Sequence, residues 1–181
     1  KMRRICCTHG ETTMPISLRT ARVGLIAVAL WSAAALALDK PTGKVVLTVS
    51  GAVGQANSGA NAVFDMAMLK KLPQKSFTTQ TPWYPKPVTF TGPLLRDVLA
   101  AAGAKGSKIV AVALNDYKTD IPFDDATKFD PIVAHLLDNK PMSIREKGPL
   151  FIVYPFDTAS ELRTEMYYNR SAWQLSSLRV Q

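Results

Sequence analysis

The 181-residue chain carries 22 Lys and Arg against 14 Asp and Glu, a net charge of +8, with 47% hydrophobic residues and two cysteines. The hydrophobic share excludes intrinsic disorder, and so few cysteines exclude a disulfide-dense scaffold. Five of the basic and one of the acidic residues fall in the first 37, leaving 17 against 13 and a net charge of +4 with no basic stripe interleaved with aromatics, which excludes nucleic acid as a partner.

Residues ahead of Met14 read as upstream sequence. Arg19 and Arg22 then form a basic region, Val23 to Leu36 a 14-residue apolar run, and Ala35-Leu36-Ala37 the small residues a signal peptidase reads. An uncleaved anchor is the alternative, but the run falls short of the roughly 20 residues of a spanning helix. The expectation is a bacterial periplasmic protein, with residues 1–37 as upstream sequence plus signal peptide. Residues 38–181 form one domain, with no membrane span after cleavage. Cys6 and Cys7 precede the cut, so residues 38–181 hold no thiol.

Val45 to Val49 is a strand, followed by a Gly- and Asn-rich loop from Ser50 to Ala60. Gly51 and Gly54 lack the spacing of a phosphate loop, so the plain loop is the better reading. Asp65 caps a short helix, Met66 to Leu72, stopped by Pro73. Ser76 to Thr81 is a Thr-rich strand, and Pro82-Trp83-Tyr84-Pro85 an aromatic corner. Val88 and Phe90 alternate with Thr89 and Thr91 as a strand, Pro93 opens a helix lasting to Ala102, and Gly103 closes it. Ile109 to Leu114 reads as a strand buried on both faces, and Asn115-Asp116 as the turn into Tyr117 to Phe123.

The adjacent carboxylates Asp124 and Asp125 read as a cap and a solvated face rather than an acid-base pair. Ile132 to Leu137 is a strand with Asp138-Asn139-Lys140 as its turn. His135, with no neighbouring ligand set, takes a structural or surface role. Pro149 to Pro155 is a buried strand. Thr158 to Glu165 suits a short helix with Glu161 and Glu165 on a solvated face, and Leu175 to Val180 is a last alternating segment. No nucleophile motif is present.

Taken in order, several of these pieces resemble the molybdopterin-binding domain of the sulfite oxidase family. They are the corner at Trp83, the run Gly92-Pro93-Leu94-Leu95-Arg96-Asp97-Val98-Leu99 with Gly103, and Asn115-Asp116-Tyr117. Asp138-Asn139-Lys140-Pro141-Met142, Gly148-Pro149-Leu150 with Tyr154-Pro155, and Trp173-Gln174-Leu175 follow. The resemblance implies an α+β domain with a single mixed sheet, holding a pterin-molybdenum cofactor in a cleft and moving oxygen atoms. It also implies a molybdenum-ligating cysteine, and the matching position here is Thr79, or Thr81 in a shifted register. An aliphatic hydroxyl is far too weak an acid to stand in for a thiolate on a soft metal site. Phe151 and Ala172 stand where the family has an arginine and a lysine. The resemblance implies cytoplasmic cofactor insertion and folded export through the twin-arginine route, yet Arg19 and Arg22 are separated, as in a general secretory signal.

Two functions stay open. One is a degenerate, non-catalytic module binding a small molecule or a periplasmic partner protein, with no cofactor and no catalytic or metal residue. The other is a divergent molybdopterin-dependent oxidoreductase acting on a small oxo-acceptor or donor, with Arg145, Lys147 and Arg170 holding the pterin phosphate. Both place the cleft among Thr79, Thr81, Trp83, Tyr84, Asn115, Tyr117, Arg145, Lys147, Tyr154 and Arg170.

Overall fold

The computed structural model describes residues 38–181. The apolar run and the cleavage site lie outside them. Three pieces of sheet organise the chain. The largest has five strands in the order β2 (Ala62–Asp65), β1 (Val45–Gly51), β11 (Leu175–Val180), β5 (Lys108–Ala113) and β6 (Lys118–Pro122). Only β1 and β11 run parallel in it. A four-stranded antiparallel sheet has the order β3 (Gln74–Thr79), β4 (Val88–Pro93), β8 (Leu136–Leu137) and β9 (Lys140–Pro141). The third is the pair β10 (Phe151–Val153) and β7 (Ile132–Ala134). Strands of both directions with few helices make the expected α+β class, although three sheets replace the single one.

Single bridges join the pieces. Leu94 pairs with Ile132, and Phe151 with Trp173, just before β11. The chain crosses from one sheet to the next at these points, and the second bridge positions the candidate site.

Asp65 caps the helix α1 (Met66–Lys71) as expected, accepting from the Met68 amide at 2.8 Å. It also accepts from the Thr42 and Gly43 amides, each at 2.8 Å, tying down the start of the described chain. The amides of Met68 and Gly43 lower its pKa. This support is therefore complete above the ordinary carboxylate pKa of about 4 and is lost as pH falls through the depressed value. β2 escaped the sequence reading, because four residues buried without alternation show no period of two.

The central helix α2 spans Leu95–Ala101 rather than starting at Pro93. Pro93 remains in β4, paired with Gln74, and the bridge at Leu94 keeps the backbone extended. Gly103 closes the helix with φ +60°. Leu95, Val98 and Leu99 face the core. Leu95 is fully buried, so Leu95→Ala is expected to cost about 2–5 kcal/mol in urea melts, and a loss within error would remove that face from the core. Gly92 is required for another reason: a Cβ there would lie 2.1 Å from the Val133 carbonyl oxygen.

β5 corrects the expectation of burial on both faces. Ile109, Ala111 and Ala113 are buried, Val110 and Val112 only partly, and Leu114 is 51% exposed. Only one face of the five-stranded sheet meets the core at this strand. The strand expected from Ile132 to Leu137 is broken into β7 and β8, with buried His135 between them. Its Nε2 lies 2.9 Å from Gln74 Oε1, and burial lowers its pKa, so the structural role holds. The helix expected over Thr158–Glu165 is a short 3₁₀ turn, Ser160–Leu162, followed by α4 (Glu165–Arg170). Ala159 and Thr164 are both extended and split the segment. Asp125 is corrected too. It opens α3 (Asp125–Lys128) with its side chain 7% exposed, while Asp124 is exposed. Among the described residues no helix is long and apolar enough to cross a membrane.

Candidate functional site

The corner between β3 and β4 is a small hydrogen-bonded knot. The Gln80 side-chain amide donates to the carbonyls of Thr81 and Tyr84, each at 3.1 Å, and the Gln80 backbone amide to Asp157 Oδ2 at 2.8 Å. The Trp83 amide reaches Thr81 Oγ1 at 3.4 Å. This knot turns the Trp83 ring onto the edges of Phe151, Phe156 and Tyr168, at centroid distances of 5.2, 6.2 and 6.0 Å. Phe151 also packs edge-on against Phe90 at 5.7 Å. The five rings form a continuous aromatic cluster, each contact adding to the apolar area it buries.

The positions at which the chain departs from the family pattern are all buried. Thr79 and Thr81 are 1% and 3% exposed, and Phe151 and Ala172 are fully buried. The Ile152 amide donates to the Ala172 carbonyl at 2.9 Å, placing Ala172 beside Phe151. Phe151, which sequence reasoning placed where a cation would meet the cofactor, is a core residue.

Outside the cluster lies an open pocket of about 310 Å³ lined by Trp83, Asn115, Tyr117, Tyr168, Asn169, Ser171 and Trp173. Tyr117 closes one side, its hydroxyl donating to the Asn169 carbonyl at 2.9 Å. Asn115 Oδ1 accepts from the Tyr117 amide at 3.2 Å and fixes the turn that presents both. None of the lining side chains carries a formal charge. The pocket offers ring surface, amides and hydroxyls, with no nucleophile-base pair. Among the described residues no three His, Cys, Asp or Glu side chains gather as a metal site would require.

Lys147 stands nearby on the turn after Ile144–Glu146, at φ +73°. Its Nζ lies 3.9 Å from the centre of the Trp173 ring and 5.9 Å from that of Tyr84. Burial lowers its pKa. Tyr84 packs on Phe90, and its hydroxyl is buried with no hydrogen-bond partner among the described residues. Its pKa is raised by burial and then by the charges of Glu146 and Asp138.

The structure therefore brings Trp83, Asn115 and Tyr117 into one pocket, with Tyr84 and Lys147 around Trp173 and Thr79 and Thr81 buried behind the corner. It does not bring the other three there. Tyr154 is fully buried and donates to Asp125 Oδ2 at 2.9 Å, and Arg170 Nη1 meets the same oxygen at 3.0 Å. Arg145 is exposed on its 3₁₀ turn. Tyr168, Asn169, Ser171 and Trp173 are the lining residues that sequence reasoning left out of the cleft. Trp173 had a signal, the Trp173-Gln174-Leu175 match. The others owe their place to α4, which the sequence did not locate.

The oxidoreductase molybdopterin-binding domain model matches residues 42–160. No curated protein sequence gives a significant match. Among solved structures, the sulfane dehydrogenase SoxCD from Paracoccus pantotrophus superposes with a TM-score of 0.56 at 18% identity, over 74% of this chain. The match spans 37% of the SoxCD chain, so the likeness is one of fold.

Proposed function

Since the chain belongs to the oxidoreductase molybdopterin-binding domain family, we propose that it keeps the family frame as a non-catalytic periplasmic binding module for a small, uncharged, ring-bearing ligand. One observation carries the reading: Thr79 and Thr81, which the resemblance matches to the metal-ligating cysteine, are both buried, and the corner that follows them packs Trp83 into a cluster of rings. The family suggests molybdopterin, but these donors do not fit a molybdenum centre, because neither hydroxyl ionises in the range a thiol does. The three cations expected around a pterin phosphate do not converge either. Arg170 is held by Asp125, Lys147 sits on Trp173, and Arg145 lies on an exposed turn.

The uncharged pocket beside Trp83 is suited to stacking a planar or hydroxylated ring, with orientation set by Asn115 and Tyr117. Residues 1–37 act as the upstream and export segment, and the mature protein works in the periplasm. A second reading, a divergent molybdopterin-dependent oxidoreductase, rests on family membership and on the unpartnered Tyr84 hydroxyl beside Lys147.

Ligand-observed NMR with a panel of neutral aromatic and hydroxylated ring compounds tests the pocket. Trp173 is 38% exposed, so Trp173→Ala leaves the fold intact. Binders seen with the wild type are expected to weaken at least about tenfold in Trp173→Ala, a loss of about 1.4 kcal/mol of binding free energy. Binders that ignore Trp173→Ala, or a panel with none, would contradict the assignment.

A further inference from the structure

A cavity of about 570 Å³ lies along β3 and shares no lining residue with the Trp83 pocket. Lys75, Ser76 and Phe77 form one wall, and Lys128, Phe129 and Pro155 are among the residues opposite. β3 is the outer strand of its sheet, pairing only with β4.

Hydrogen bonds fix which of its backbone groups point outward. The Thr89 amide donates to Asp138 Oδ1 at 2.9 Å, and the Asp138 and His135 amides donate to the carbonyls of Thr89 and Thr91 at 2.8 and 2.9 Å. Thr89 and Thr91 thus turn their backbone groups toward the β8 side. In an antiparallel ladder, alternate residues turn opposite ways. Val88, Phe90 and Gly92 therefore bond to their register partners Thr79, Phe77 and Lys75. Ser76 and Thr78 must face away from β4. Gln80 continues the same alternation, and its amide is indeed taken from that side by Asp157 Oδ2. Among the described residues no hydrogen bond from outside the β3–β4 ladder reaches the amide or carbonyl of Ser76 or Thr78.

We infer that the free edge of β3 is a docking site for an extended peptide segment of a partner protein. The segment adds a strand along Ser76–Thr78 and lays alternate side chains into the groove. Strand addition draws on main-chain bonds, with specificity from the groove. The chemistry of the occupant follows from the walls. Phe77 and Phe129 favour an apolar side chain. Lys75 and Lys128 favour an acidic neighbour, and neither lysine forms an ion pair among the described residues, whereas the groove's Asp130 is already bonded to Arg96. Glu161 is the one opposing carboxylate in the lining without a recorded ion pair, and it selects against a second acidic side chain near the 3₁₀ turn. Lys75 on an edge strand also guards against unplanned pairing, so the partner must answer its charge.

Peptides selected from a random phage library against the mature domain provide the probe, with amide hydrogen exchange by NMR as the readout. The expected result is a consensus alternating acidic and apolar residues. Bound peptide slows exchange at Ser76 and Thr78, while Phe77 and Thr79 are protected with or without it. Thr78→Pro removes an outward amide, which an edge strand tolerates, together with the hydroxyl that meets Thr89 Oγ1 at 2.8 Å, and is expected to weaken binding at least about tenfold. Lys75→Glu is expected to weaken the same peptides, and Thr78→Val, which loses the same hydroxyl contact but keeps the amide, to spare them, while melts of Thr78→Pro itself tell a folding defect from lost binding. Three results would overturn the inference. They are no selected peptide, selected peptides that leave the Ser76 and Thr78 amides exchanging freely, and self-association abolished by Thr78→Pro, which would make the occupant a second copy. The ring-ligand binding at Trp83 survives all three.

Discussion

Asp125→Ala is expected to destabilise the domain by about 3–5 kcal/mol, because it leaves a shielded guanidinium without its counter-charge. The carboxylate takes the Tyr154 hydroxyl at 2.9 Å and Arg170 Nη1 at 3.0 Å on one oxygen, with side-chain exposures of 7% for Asp125 and 18% for Arg170. Three elements meet there: α3 brings Asp125, the chain leaving β10 brings Tyr154, and α4 ends in Arg170. The Tyr154 hydroxyl stays protonated through the whole working range, its pKa raised by burial, by the charge of Asp125 and by their hydrogen bond. It therefore acts as a hydrogen-bond donor to the carboxylate. Tyr154→Phe keeps the ion pair and the ring packing and is expected to cost only about 1 kcal/mol. Urea melts of the two variants check the pair. Equal losses would mean that the ring-hydroxyl contact, and not the ion pair, holds α4 in place.

A second large effect is expected at Phe151. The side chain is fully buried, with Trp83 and Phe90 edge-on at 5.2 and 5.7 Å. Phe151→Ala is expected to cost about 3–5 kcal/mol. Phe151→Arg is expected to cost more, because no carboxylate lies among the rings to answer a buried charge. This separates two pictures of the departure from the family pattern. If Phe151 merely replaced a cation facing an open cleft, arginine would be accepted there with little loss in melts. If the cleft has been filled, arginine prevents folding while Phe151→Leu is tolerated. The structure supports the second.

How far the sequence carried the account depended on the kind of signal. Short-range chemistry was legible: Asp65 caps α1, Gly103 ends α2, and Asp138 and Asn139 adopt the positive φ of the hairpin turn that the sequence placed there. Patterns whose outcome rests on distant pairing were not. Pro93 suits a helix start, but it continues β4 opposite Gln74 and stays in the strand. Asp124 and Asp125 read as a cap and a solvated face because neighbours in sequence point apart on a helix, and nothing local says that Arg170 and Tyr154 come to meet Asp125. β2 carries no alternation because all four residues are buried. For the site, the ordered family motifs pointed to Trp83, Asn115 and Tyr117, and these do line one pocket. Tyr154, from the same motifs, and Arg170, expected to hold a pterin phosphate, turned instead to Asp125.

The most direct test of the central claim is the molybdenum content of the protein, purified from molybdate-fed cells and measured by mass spectrometry alongside released pterin. The claim is that the buried hydroxyls of Thr79 and Thr81, standing where the family resemblance puts the thiolate, cannot hold the cofactor. The expected result is molybdenum and pterin at the background of an unrelated exported protein, in a sample that still binds neutral ring ligands. Molybdenum in stoichiometric amount with pterin, exchanged for tungsten when cells grow on tungstate, would contradict it.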